Sequence, residues 1–310
     1  MKVEVVLTEA EIAQEFAEAL QARDLPEKFF FWSPSSAQAW RGLSANDHLY
    51  GGLTATWEAM AANVNGLSRR FSGEVPVISF GAGDGARDRL LMNGLKEDGC
   101  ECRYFPVDAS QVLLEQACAV ADDDDFENTG IKADISSPVH LVYAADAAEP
   151  PRLFIMSGNT LGSFDPLAEI RYVAQCLRSG DVLIVDGEIY HERETIARRE
   201  QPAVRGFLAA LLKTAGIELS DGEIRFEDKI DERHSGLHQI TRSFRAERDL
   251  AASVNGEQVP VQRGELIGLN FQYSYTRDTF HWLLRQQGGF DIEQEFTSAD
   301  GCFLTAVCRK

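Results

Sequence analysis

The chain has 310 residues, and its 30 Lys and Arg against 49 Asp and Glu give a formal net charge of −19. That balance excludes a surface built to neutralise nucleic-acid phosphates or an anionic membrane, both of which need clustered cations. With 44% hydrophobic residues and no apolar run near the roughly 18 residues a bilayer span needs, the chain reads as globular, long enough for a core and a second lobe. Met1 to Leu20 lacks an apolar leader, so a cytoplasmic location is expected. Cys100, Cys102, Cys118, Cys176, Cys302 and Cys308 form no C-x-x-C pair and are expected to be reduced core residues.

Residues 8–24 have helical spacing: Thr8 can cap, Glu11 follows three residues on, and Ile12, Phe16 and Leu20 recur every four. An aromatic, turn-rich stretch from Phe29 to Pro34 leads to a second helical segment around Thr54–Val64. From residue 75 the pattern becomes strand–turn–helix. Val75–Phe80 is a short apolar run ending in Gly81-Ala82-Gly83-Asp84-Gly85, with a helix to Leu95. Glu101–Val107 is a second strand, ending at Asp108, and a helix follows from Ser110. Val139–Ala144 and Leu153–Met156 read as two more buried strands, the latter followed by Ser157-Gly158-Asn159-Thr160. A helical Pro166–Leu177 precedes the strand Val182–Asp186. Near-continuous apolar strands separated by helices predict a doubly wound, mostly parallel α/β sheet covered on both faces.

Alternation then stops. Residues 217–275 predict antiparallel strands, among them Gly236–Phe244 and Leu266–Tyr275, with a turn at Val254-Asn255-Gly256. A helix over Arg277–Gln287 and a closing antiparallel hairpin, Phe290–Phe296 with Cys302–Cys308, return the chain to the core. The expected division is a core of residues 65–200 and 277–310, with 1–64 and 201–276 forming an α+β substrate lobe.

Glycines at 81, 83 and 85, between a strand and a helix, let the backbone and the helix amino terminus approach a nucleotide. Asp108, at the end of the adjacent strand, can accept both hydroxyls of a ribose. Nicotinamide enzymes share such a loop, but Asp84 within it would repel a pyrophosphate, and a terminal hairpin fits class I methyltransferases. The expected co-substrate is therefore S-adenosylmethionine. Asp186, Glu188, His191, Glu192 and Glu194 gather after the fifth strand, yet only some can point together, and no metal is expected there. His234 and His238 lie in a strand-like alternation interrupted by Gly236.

Phe154-Ile-Met-Ser-Gly-Asn-Thr-Leu-Gly-Ser-Phe-Asp-Pro166 resembles the signature loop of the histidine-specific methyltransferase family, the ergothioneine-pathway enzymes among them. The similarity continues through Leu177–Asp186 and reappears in Gly264–Thr276. It implies a class I methyltransferase core with an inserted substrate lobe. By position it implies cofactor contacts from Gly81, Ala82, Gly83, Asp108, Ala109, Ser157, Gly158 and Asn159, with Asp146-Ala147 near the adenine. On the substrate side it implies Tyr50, Thr160, Ser163, Asn270 and Gln272. Ser163 stands where the family has an asparagine that holds the amino-acid substrate. Asn270 and Gln272 stand where a Glu-x-Ser pair grips the imidazole of histidine. Neutral amides suit a polar or amide-bearing group better than a partly cationic ring. Arg198 and Arg199 fall where the family places a substrate-contacting tyrosine, and are read either as a fork for a carboxylate or as helix-surface charge. The expected reaction is methyl transfer to the amine of an amino acid, or of a metabolite derived from one, other than histidine. Transfer or cyclisation of another group, and cofactor binding without turnover, are the alternatives.

Overall fold

The apolar runs fold as strands buried on both faces. The computed structural model describes residues 2–71, 73–254 and 256–310. In chain order the strands are β1 (Val3–Val5), β2 (Glu74–Phe80), β3 (Glu101–Asp108), β4 (Glu127–Asn128), β5 (Gly130–Lys132), β6 (Leu153–Met156) and β7 (Val182–Glu188). Then come β8 (Gly222–Ile230), β9 (Leu237–Ala246), β10 (Leu250–Val254), β11 (Glu257–Val261), β12 (Leu266–Tyr275), β13 (Asp291–Thr297) and β14 (Phe303–Arg309). Among the described residues nine of these form one sheet in the order β1-β5-β3-β2-β6-β7-β14-β13, with β4 beside β3. Pairs from β1 to β7 are parallel, whereas β14 runs antiparallel to both β7 and β13. This is the class I methyltransferase topology. The order turns outward in both directions from β2 and β6, and a doubly wound sheet leaves its ligand crevice at that reversal, beyond the strands' carboxyl ends.

Helix α1 (Glu9–Gln21) starts at a full capping box. The Thr8 N–H donates to Glu11 Oε2 at 2.8 Å and the Glu11 N–H to Thr8 Oγ1 at 3.2 Å. α2 (Phe29–Trp32) and α3 (Pro34–Ser44) grow out of the aromatic stretch, Ser33 capping the second. α4 (Gly52–Ala61) and α5 (Asn65–Ser68) lead to the core. There α6 (Ala86–Glu97), α7 (Gln111–Asp123), α8 (Pro138–Ala145) and α9 (Pro166–Cys176) follow in turn. α10 (Glu192–Arg199) and α11 (Pro202–Thr214) precede the lobe strands, and α12 (Arg277–Trp282) continues as a wider turn to Gln287. No helix among the described residues is long and apolar enough to cross a membrane. All six cysteines are buried, and none among these described residues forms a disulfide.

The lobe has its own apolar core, in which Ile12, Phe16, Phe30, Phe207, Leu211 and Phe244 pack together. Its strands form a three-stranded antiparallel sheet, β12-β9-β8, and the hairpin β10–β11. Asn255, in the expected turn of that hairpin, lies outside the described residues. Residues 1–64 divide between the two bodies. β1 extends the core sheet beside β5, and Leu53, Trp57 and Met60 of α4 pack on the core strands. The apolar spacing of α4 announces a buried face but not the surface that covers it.

The segment read as a strand over Val139–Ala144 is helix α8. Its buried residues, Leu141, Ala144 and Ala145, fall at helical spacing, while Val139 is 75% exposed. A short apolar run has the same hydropathy in either form, and the Ser137-Pro138 pair that opens it is a helix-start signal. The strand that belongs in this place is β5, only three residues long.

The start of β6 is tied to that of β7 by a buried pair. Arg152 Nη2 lies 2.6 Å from Asp181 Oδ2, and the backbone N–H groups of Arg152 and Arg178 donate to the same carboxylate at 2.8 and 2.7 Å. Removing one partner strands a buried charge. Asp181→Ala should therefore cost about 3–5 kcal/mol in urea unfolding; a loss below about 1 kcal/mol would contradict a structural role for the pair.

Candidate active site

The turn after β2 is built from left-handed backbone, with φ of 69° at Gly81, 58° at Gly83 and 73° at Gly85. Side chains rarely adopt such angles, and there is no room for them either. A Cβ on Gly83 would stand 2.5 Å from Trp40 Cη2, and one on Gly81 would stand 2.9 Å from Thr160 Cγ2. Trp40 of α3 thus folds from the lobe onto the glycine loop. Asp108 locks that loop from the neighbouring strand. Gly83 N–H donates to its Oδ2 at 3.0 Å and Ser110 N–H to its Oδ1 at 2.8 Å. Burial pushes the Asp108 carboxyl up to about 6 against these hydrogen bonds.

Above the loop lies a cleft of about 1100 Å³, counting the space open to solvent. Gly81, Ala82, Gly83, Asp108, Ala109, Ser157, Gly158 and Thr160 line its core end, and Tyr50, Ser163 and Gln272 line its lobe end. Phe31, Trp40 and Phe207 form an apolar wall between them, with Phe31 edge-on to Trp40 at 6.0 Å and tilted against Phe207 at 5.6 Å. The Tyr50 ring stacks on Phe303 at 6.0 Å, with the Arg87 guanidinium 5.6 Å from its centre.

Four expected site residues lie outside the cleft lining, Asp146, Ala147, Asn159 and Asn270. Asp146 caps the carboxyl end of α8 and Ala147 packs on the core beneath it, so neither is among the cleft residues. Because the segment is a helix, Asp146 stands at a helix end and not at a strand end. The acid beyond β5 is Asp134, and it lines the cleft with Ile135. Burial would raise its carboxyl, but Lys28 Nζ at 2.7 Å and Ser136 hold it below the usual value. Asn159 sits behind the cleft wall, buried, with φ of 57°. Its Nδ2 donates to Tyr273 O at 2.9 Å, and its Oδ1 accepts from Glu188 N at 3.1 Å.

The acidic cluster after β7 is occupied internally. Asp186 accepts from Asn159 N at 2.6 Å, Gly158 N at 3.0 Å and Trp57 Nε1 at 3.0 Å. Glu188 pairs with Arg199, and His191 Nε2 meets Gly301 O at 3.2 Å. The Glu194 side chain lies outside what is described. Among the described residues no three His, Cys, Asp or Glu side chains gather as metal ligands. His234 and His238 are also apart, the first stacked on Trp282 and the second on Tyr190.

At the lobe end the amides have partners that spacing cannot show. Gln272 Oε1 accepts from Arg242 Nη2 at 2.6 Å. Asn270, in a β-bulge of β12 with φ of 59°, borders a small depression beside the cleft. Its Nδ2 donates to Glu27 Oε2, and to Ser163 O at 3.3 Å. Burial pushes the Glu27 carboxyl up to about 7, although Arg242, Ser163 and Asn270 pull it back. Arg199 and Arg242 both line the cleft, and burial lowers both, Arg199 to about 10. The Nε of each has no hydrogen-bond partner among the described residues. Arg198 turns away and donates to Leu49 O. Glu27, Trp40, Asp134 and Arg242 were not singled out from sequence, since each joins the site from a distant segment.

Residues 10–310 match the model of the S-adenosylmethionine-dependent histidine-specific methyltransferases. The chain belongs to that family. No curated protein matches it. Among solved structures, this methyltransferase is similar to an S-adenosylmethionine-dependent methyltransferase from Clostridium acetobutylicum ATCC 824, at 12% identity and a TM-score of 0.44 over 82% of this chain and 91% of that one. PH0226 from Pyrococcus horikoshii OT3 is similar at 16% identity and a TM-score of 0.42, over 84% of this chain and 91% of that one. CalS10, an amino pentose methyltransferase from Micromonospora echinaspora, is similar at 13% identity and a TM-score of 0.40, over 88% and 95%. The co-substrate of the family is S-adenosylmethionine, and the glycine cradle with a buried acid facing it is chemistry that fits a nucleoside.

Proposed function

We propose that the glycine-loop end of the cleft binds S-adenosylmethionine and that the lobe end binds a small amine carrying a carboxylate. That substrate is an amino acid, or a metabolite derived from one, other than histidine. One observation carries the reading: a single cleft joins the Asp108-locked glycine loop to two buried, incompletely paired arginines.

At the core end, Asp108 is the acceptor for the ribose hydroxyls, supported by the Gly81–Gly83 backbone and Ala109. Asp134 and Ile135 take the adenine side, in place of Asp146 and Ala147, and Ser157 and Gly158 border the remainder. When bound, S-adenosylmethionine supplies an electrophilic methyl carbon on a positively charged sulfur. The protein's share is positioning and exclusion of water. Arg199 and Arg242 fix the anionic end of the substrate, Tyr50 and Thr160 flank it, and Phe31, Trp40 and Phe207 keep the cleft dry.

Histidine fits this lobe poorly. The Gln272 carbonyl is taken by Arg242 and the Asn270 amide is turned to Glu27, so both amides at the positions that would grip an imidazole are engaged within the protein. Two arginines also disfavour a partly cationic ring and favour a carboxylate.

Calorimetry with S-adenosylhomocysteine tests the core end. Asp108→Ala should weaken binding by about 1.5–3 kcal/mol, and wild-type affinity should fall as pH drops below about 6, where protonation removes the acceptor. Unaltered affinity in the variant would contradict the assignment of the ribose acid. A methyl-transfer assay with histidine beside the other proteinogenic amino acids and their decarboxylated amines tests the lobe end. The best substrate should carry a carboxylate, and Arg242→Gln should raise its KM roughly 10- to 100-fold. Histidine as the best substrate of the panel would overturn the assignment.

A further inference from the structure

We propose that Glu27 is the base that takes the proton from the bound substrate ammonium, leaving the neutral amine that methyl transfer requires. The inference rests on the reading of the cleft given above and adds a proton path to it. Glu27 lines both the cleft and the depression beside it, so its carboxyl bridges the substrate end and an outlet toward solvent. Its surroundings aim it. Asn270 is a non-glycine residue in left-handed backbone at a bulge, an arrangement that persists only where the neighbouring structure enforces it. The strained residue donates to Glu27 Oε2. Ser163 bonds the same carboxyl through its side chain. Two positions that the family resemblance assigns to substrate therefore converge on a carboxyl from a different segment.

The charges around Glu27 are Arg242 from β9, Asp108 at the end of β3 and the adjacent Lys28, which is committed to Glu15 and Asp134. Asp24 and Asp165 border the depression. Burial and Asp108 favour the protonated carboxyl, whereas Arg242 and the hydrogen bonds favour the carboxylate, and the balance falls at about 7. A base in that range takes a proton and releases it within one cycle.

The step balances. The substrate ammonium gives one proton to the Glu27 carboxylate. The nitrogen lone pair then forms the N–C bond as the C–S bond breaks, its electron pair remaining on sulfur and discharging the sulfonium. The product is an N-methylammonium and a neutral thioether. Glu27 passes its proton to water, so one proton is released for each methyl transferred.

Two measurements on the full chain test this. In an infrared titration of the S-adenosylhomocysteine-loaded protein between about pH 5 and 9, wild type should show a carboxyl titrating near neutrality that Glu27→Gln lacks. With the fastest amino acid of the panel, Glu27→Gln should lower kcat by about 100-fold or more, with KM little changed and the acidic limb of the pH profile lost. Asn270→Ala removes a donor to the carboxylate, so its acidic limb should move to higher pH, a shift that a merely structural role would not give. The proposal is overturned if no such carboxyl titrates, if Glu27→Gln keeps wild-type kcat, or if it raises KM alone, which would make Glu27 an anchor. Failure of the underlying reading would appear elsewhere, as unchanged affinity in Asp108→Ala or unchanged KM in Arg242→Gln.

Discussion

The carboxylate of Asp186 is the point on which the active-site end of this protein depends. A buried carboxylate is costly unless it is fully hydrogen-bonded, and this one draws three donors from two places: the turn after β6, through Gly158 and Asn159, and helix α4, through Trp57. Asn159 extends the network to the backbone of Tyr273 on β12 and of Glu188 on β7. One acid at the end of a core strand thus fixes the loop that borders the glycine-loop end of the cleft, the helix packed behind it and the lobe strand that carries Asn270 and Gln272. The lobe keeps its place over the glycine loop because this network, and Trp40 on Gly83, hold it there.

Electrostatics then give the cleft its character. A chain with a net charge of −19 has placed two guanidinium groups, Arg199 and Arg242, in a partly closed cavity and left the Nε of each without a partner among the described residues. Burying cations is a weak route to stability, since the desolvation cost rivals the gain from pairing. A ligand that brings its own negative charge completes such a site. Glu27 answers Arg242 only in part, because burial holds its carboxyl near neutrality.

What the sequence made legible was local. The glycine loop, the acid at the end of β3 and the capping box of α1 each lie within a few residues of one another, and local geometry decides them. The family resemblance marked Ser163, Asn270 and Gln272, but not that Glu27 and Arg242 would claim them. Those two stand 215 positions apart, by their numbers 242 − 27, and only the packing of the lobe brings both to one cleft. The misread α8 shows the other limit. An apolar run of eight residues carries no periodicity strong enough to separate strand from helix, and the acid that stands beyond a strand end beside the cleft is Asp134, not Asp146. β5 escaped notice because three residues are too few to show a pattern.

A crystal structure of the chain with S-adenosylhomocysteine and the preferred amino acid would show whether one cleft serves both the co-substrate and an anionic amine. The ribose hydroxyls should lie on Asp108, the substrate carboxylate on Arg199 and Arg242, and the amine nitrogen between Glu27 and the cofactor sulfur. A substrate carboxylate bound away from both arginines, or an amine turned away from Glu27 toward another base, would contradict this arrangement.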